Sequence, residues 1–328
     1  MPRTLWKALA ATVLLGAVAG CDAVTNGEFE EELILSAVLE VGEEMPTVQL
    51  TRLVPIFERY DPEDAGVQNA SITITELDAG GAAVAADAYI STLSPGLYVP
   101  ATPGRRVLPD TRYRIEIDGP EGQRLTAETR TPPDFDVLEG PAESLVYQTG
   151  QGPESRITLT STEERRARFI LSVEATDALL FERVVIDGEE RFRSAPLDQG
   201  SLPVPIVILF GDCEFEPEGT LLCDINPYDD ARSGSSPILN EDSYIDLGDG
   251  TAIVQAPWLA FGFYGPHRLT ITSIDEAIND LVATQAIQFQ PTTLSPGEIP
   301  NVTTNVEGGL GVFGSIAREV VVTTILER

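Results

Sequence analysis

The chain is predicted to be all-β: an N-terminal immunoglobulin-like β-sandwich, then a second β-rich domain with one short helix. Three observations lead there. Apolar, β-branched and aromatic residues recur with the two-residue period of strands. Glycine pairs, Pro-Gly and Asp-Gly-Pro steps break these runs at short intervals. Only one stretch, Ser273 to Thr284, repeats with the period of a helix. An apolar fraction of 42% in 328 residues is ample for a core, and the length suggests two domains.

Residues 1–20 read as a secretory leader. Arg3 and Lys7 precede an uncharged, mostly apolar run from Ala8 to Val18. About 20 apolar residues are needed to cross a bilayer as a helix, and this run is shorter. It ends Val18-Ala19-Gly20-Cys21, which resembles the lipobox of bacterial lipoproteins. On that resemblance Cys21 is the lipidation site. Its thiol takes a diacylglyceryl group, the leader is cut before it, and the new amine is acylated with a palmitate-type chain. Each buried methylene contributes roughly 0.8 kcal/mol, so two or three chains anchor a protein to the membrane without a spanning helix. Residues 21–33 then form an acidic tether ending Glu-Phe-Glu-Glu-Glu, too polar to fold alone. An acidic surface-export signal is the other reading of that segment.

The formal net charge is −31. Without Met1 to Gly20, 19 basic residues face 52 acidic ones, a net charge of −33. Nucleic acid is excluded as a partner, because phosphate binding needs clustered Lys and Arg. Peripheral docking on anionic lipid is disfavoured. Lys7 is the only lysine among 21 basic residues. An acid surplus with lysine nearly absent suggests a halophilic, salt-adapted protein, since high salt screens the self-repulsion. A GC-rich genome would explain the arginine preference but not the acids.

Residues 34–134 carry the predicted sandwich. Its strands are Thr47 to Leu53, Ala70 to Glu76, Gly96 to Pro100, Arg112 to Ile117 and Arg124 to Thr131, stopped by Pro132-Pro133. The Cys-Trp-Cys core of immunoglobulins is absent, so the assignment rests on pattern.

Residues 135–328 form the second β-rich domain. Strands are predicted at Ser155 to Ser161, Ala167 to Glu174, Phe181 to Ile186, Ile206 to Phe210, Ala252 to Tyr264, His267 to Thr272 and Arg318 to Leu326. Asp224 to Gly250 reads as a polar loop with one short strand. Ser273 is the predicted cap of the helix, with Glu276 completing a capping box. Cys213 and Cys223 flank a Pro-Glu-Gly turn, so a hairpin would bring them together. Outside the cytoplasm a disulfide is their expected state. Two thiols at this spacing lack the close ligand pairs of a zinc site.

Asn305-Val-Glu-Gly-Gly-Leu-Gly-Val-Phe-Gly-Ser315, just before the final strand, resembles the closing motif of a Bacteroidota lipoprotein family known as domain of unknown function 4249. Ala70-Ser-Ile-Thr-Ile, Pro95-Gly-Leu-Tyr98 and Tyr113-Arg-Ile-Glu-Ile resemble that family's N-terminal sandwich. The strand from His267 and the helix after it resemble its late segment. The resemblance covers most of the mature chain and brings no established activity. Many members occur beside TonB-dependent outer-membrane transporters. It therefore implies an outer-membrane, lipid-anchored binding or accessory protein, with such a transporter as partner.

No catalytic residues are assigned. G-x-S-x-G, H-E-x-x-H and the Walker loop are all missing from the sequence. His267, the only histidine, reads as structural. Gly308, Gly309, Gly311 and Gly314 precede a strand rather than a helix, which points to turning or close packing and not to a phosphate cradle. Trp258 and Tyr264, with Phe261 and Phe263, form the densest aromatic cluster. They are buried strand residues or a glycan-binding platform. Asp224, Asp229 and Asp230, followed by Asp242, Asp246 and Asp249, are candidate calcium ligands or a solvated loop. A surface hydrolase with a carboxylate pair stays open as the alternative, because counting acids cannot place two of them across a cleft.

Overall fold

The computed structural model describes residues 32–55, 58–159, 166–289 and 303–328. Cys21 and the leader lie outside them. Among the described residues strands form 48% and helices 10%, in several sheets with sandwich-like layering.

The N-terminal half contains β1 (Leu33–Glu40), β2 (Val48–Arg52), a short helix α1 (Pro62–Ala65), β3 (Ser71–Leu77), β4 (Ala83–Ser91), β5 (Leu97–Pro100), β6 (Arg112–Asp118) and β7 (Arg124–Arg130). The five predicted strands are all present. Strands β1 and β4 are additions. Alanine-rich β4 has little strand preference of its own and is held by ladders to β3 and β5 on its two sides. Alternate residues point inward: Leu33, Leu35, Ala37 and Leu39 from β1, and Tyr113, Ile115 and Ile117 from β6. They meet in one core with Leu50, Ile74 and Tyr98.

The remainder contains β8 (Val137–Glu139), β9 (Ser144–Val146), β10 (Glu154–Thr158), β11 (Phe169–Ala175), β12 (Phe181–Ile186), β13 (Glu189–Ser194), α2 (Pro205–Phe210), β14 (Glu214–Glu216), β15 (Thr220–Cys223), α3 (Pro227–Ala231), β16 (Ser233–Ser235), β17 (Ile245–Asp246), β18 (Thr251–Gln255), β19 (Gly265–Ile274), α4 (Glu276–Phe289), β20 (Val306–Glu307) and β21 (Leu310–Leu326). Strands β16-β11-β19-β21 form one layer and β17-β18-β10-β8 another. Leu171, Ile271, Ile157 and Val254 from these layers share a second core with Phe261, which follows the Trp258–Ala260 turn. A third small sheet, β12-β13-β15-β14, covers a separate cluster around Phe263 and Leu221.

The structure departs from the sequence expectations at five places. Ile206 to Phe210 is helix α2, not strand; a short apolar run has no decisive period, and Pro205 suits a first helical turn. Ala252 to Tyr264 is not one strand. The ladder stops at Gln255, and a 3-10 turn over Trp258–Ala260 follows Pro257. Asp224 to Gly250 holds α3, β16 and β17 rather than a single strand. The long helix begins at Glu276, because the ladders to β11 and β21 claim Ser273. Asp275, not Ser273, caps it: its Oδ1 accepts the Ile278 N–H at 2.8 Å. Finally, the last strand begins at Leu310, not Arg318.

That last strand joins the two halves. Residues Leu310 to Ile316 pair in parallel with β1, and Ile316 to Ile325 pair antiparallel with β19. Residues Val312 to Ala317 are buried without alternation, as expected where both faces are covered. Gly311 has φ +110°, and a Cβ there would lie 1.9 Å from the Leu35 carbonyl oxygen, so only glycine fits against β1. Nearby, the Asn305 side chain acts as a piece of ladder. Its Oδ1 accepts the Phe313 N–H at 3.0 Å, while its Nδ2 donates to Phe313 O at 2.8 Å and to Glu128 O at 3.1 Å. It thereby ties β21 to β7.

Candidate functional site

An exposed apolar lobe is built by α2 and the β14–β15 hairpin. Helix α2 reads Pro-Ile-Val-Ile-Leu-Phe, and none of its residues is fully buried. Ile206 and Val207 rest against the second core. Leu209 and Phe210 at its end are 74% and 72% exposed. Phe215 and Ile225 are also exposed. Three backbone bonds hold the parts together: Cys213 N–H to Ile208 O, Asp224 N–H to Gly211 O, and Ile225 N–H to Gly211 O. A disulfide joins Cys213 to Cys223 across the hairpin, as the spacing predicts. Asp212, Glu214, Glu218 and Asp224 are exposed around this lobe. Glu216 is engaged by Arg193 at 2.8 Å, whose hydrogen bonds hold its carboxyl below the usual range.

The other candidates lie apart from the lobe or are already partnered. Trp258 is half-buried. The ring of Tyr147 meets it edge-on at 5.6 Å and that of Phe261 lies at 5.8 Å, and its Nε1 donates to Gly150 O at 3.4 Å. Tyr264 meets the same Tyr147 edge-on at 5.9 Å, and burial pushes its phenol up. Phe263 faces the third core instead. His267 is buried against Phe261 at 5.2 Å, with Nδ1 2.9 Å from Gly265 O. Desolvation lowers its pKa, which favours the neutral imidazole. Among the candidate calcium ligands, Asp224 pairs with Arg191 at 2.7 Å and Asp229 accepts from Asn226 at 2.6 Å. Asp230 lies in α3 and is exposed. Asp249 pairs with Arg156 at 2.8 Å. Among the described residues no three His, Cys, Asp or Glu side chains converge as a metal site. No helix of the described residues is long and apolar enough to cross a membrane.

A buried polar knot lies where the two halves meet. Asp275 is 4% exposed. Its Oδ2 accepts hydrogen bonds from Thr129 on β7 and, at 2.9 Å, from Ser315 on β21. Burial nevertheless raises its carboxyl above the usual range. The sequence reading missed both the lobe and this knot. The apolar run beside an acid-rich hairpin was a readable signal for the lobe. Asp275 gave none, because its partners are distant in sequence.

These features define a mostly-β protein with sandwich-like layering whose two halves share one strand, with a disulfide-clipped apolar lobe on its surface. The chain belongs to the family described as domain of unknown function (DUF4249), which matches residues 22–320. Among solved structures it is similar to trypsin-activated alpha-2-macroglobulin from Escherichia coli, at 10% identity and a TM-score of 0.20. That match covers 75% of this chain and 14% of the other. No curated protein matches.

Proposed function

We propose that this protein is a lipid-anchored, non-enzymatic component of the cell envelope that docks on a protein partner through its apolar lobe. The exposure of Leu209 and Phe210 at the end of an apolar helix carries this reading. Burying a Leu or Phe side chain contributes roughly 1.5–3 kcal/mol, a gain the isolated chain forgoes at both positions. The acidic surroundings select the kind of partner. They oppose an anionic bilayer and favour an apolar socket with an arginine or lysine rim. The family resemblance supplies the candidate, a TonB-dependent outer-membrane transporter, and Cys21 supplies the anchor that keeps both in one membrane.

A photo-crosslinking residue at position 209 tests the docking in intact envelopes. The expected product is a transporter adduct that disappears when Phe210→Asp is added. Adducts with lipid alone, or none that depend on Phe210, would overturn the reading. Mass spectrometry of the mature N-terminus tests the anchor. A lipid-modified Cys21 is expected, and an unmodified peptide starting elsewhere would remove it.

A further inference from the structure

In a chain so poor in cations, four arginines line one cavity of about 560 Å³ between the two halves: Arg112 on β6, Arg130 at the end of β7, and Arg166 and Arg168 just before and at the start of β11's segment. Two of them are already engaged. Arg130 pairs with Asp110 at 3.0 Å and Arg166 with Glu241 at 2.9 Å. Among the described residues Arg112 and Arg168 make no ion pair, and the Nε of Arg112 is buried without a hydrogen-bond partner. The first turns of α4 contribute Glu276 and Asp280 to the same cavity. Neither of these carboxylates makes an ion pair among the described residues. Asp280 only accepts the neighbouring Asn279 amide at 2.9 Å. Two guanidinium groups and two carboxylates that make no ion pair among the described residues therefore line one cavity.

Opposite charges that share a cavity but stay apart call for a ligand that carries both. A simple anion would satisfy the arginines but meet Glu276 and Asp280. A simple cation would meet the reverse. We propose that this cavity binds a small zwitterion with a carboxylate and an ammonium group, of the free amino acid or short peptide class. Arg112 and Arg168 take the carboxylate, for which the guanidinium fork is suited. Glu276 and Asp280 take the ammonium. The site is separate from the docking lobe and does not depend on it.

Calorimetry at low salt with a panel of free amino acids and dipeptides tests the proposal, each paired with its N-acetylated and its C-amidated form. At least one free form is expected to bind, with both capped forms weaker by about tenfold or more. Arg168→Gln should abolish the preference for a free carboxylate. Glu276→Gln with Asp280→Asn should abolish the preference for a free amine. Each variant's thermal midpoint is measured alongside, so that loss of binding is separated from loss of fold. If the N-acetylated form binds as tightly as the free one, the cavity is a plain anion site and the proposal fails. Absence of binding across the whole panel overturns it as well.

Discussion

Asp275 combines three jobs in one carboxyl group. It caps α4, accepts a hydroxyl from β7 and accepts another from β21. Because burial raises its folded pKa, the folded chain keeps this proton to higher pH than the unfolded chain does. Stability from this group is therefore full at low pH and falls as pH rises from the ordinary carboxylate range to the raised value. Asp275→Asn should remove that slope while keeping an acceptor for the Ile278 N–H. Asp275→Ala should cost about 1–3 kcal/mol, since two buried hydroxyls and one amide lose their acceptor. Urea unfolding of the three proteins across the mildly acidic range would check both. A slope unchanged in the Asn variant would show that another group titrates there. None of this was legible in the sequence. Thr129 and Ser315 lie 146 and 40 positions away, and local capping rules pointed to Ser273 instead.

At the scale of single elements, the hairpin was readable and the helix before it was not. The two cysteines, the Pro-Glu-Gly turn and the even spacing all specify one pairing, and Gly219 has the positive φ that such a turn needs. The run Ile206 to Phe210 offers no polar residues to set a period, so strand and helix look alike. Strand β4 was missed for the opposite reason: its alanines state no preference, and its neighbours decide. Removing the disulfide with Cys213→Ser and Cys223→Ser should cost roughly 3 kcal/mol within the hairpin's own sheet. Hydrogen exchange should quicken from α2 to β15 and stay slow in β19 and β21, which lie in a different sheet. Equal acceleration in all of these would show that the lobe does not open on its own.

For the whole molecule, the mostly-β class, the sandwich layering and the place of most strands followed from alternation and turn chemistry. The sharing of β21 did not, because its first half is written in glycines that read as a turn. Gly311 is there to let two backbones touch, a purpose visible only once β1 is beside it. Charge also acts at this scale. With a net charge of −31, the compact state is opposed by its own carboxylates when salt is low. Raising sodium chloride toward about 1 M, where the Debye length is about 3 Å, should raise the unfolding midpoint. Sodium sulfate at equal ionic strength separates screening from salting-out, which favours sulfate. A midpoint indifferent to sodium chloride would contradict salt adaptation.

The parallel partnership of β1 with β21 also imposes an order of events. The first described strand is completed by the last, 276 residues later in the chain (310 − 34). Until the C-terminus arrives, β1 has one open edge and its core lacks Phe313 and Val306. A chain emerging from its amino end therefore cannot complete the sheet around β1 until β21 has been made. A fragment of residues 32–134 should give no cooperative thermal transition. A version carrying residues 303–317 fused ahead of β1 through a flexible linker should recover one. If the short fragment melts cooperatively by itself, the closing strand is dispensable and the chain is free to fold as it emerges.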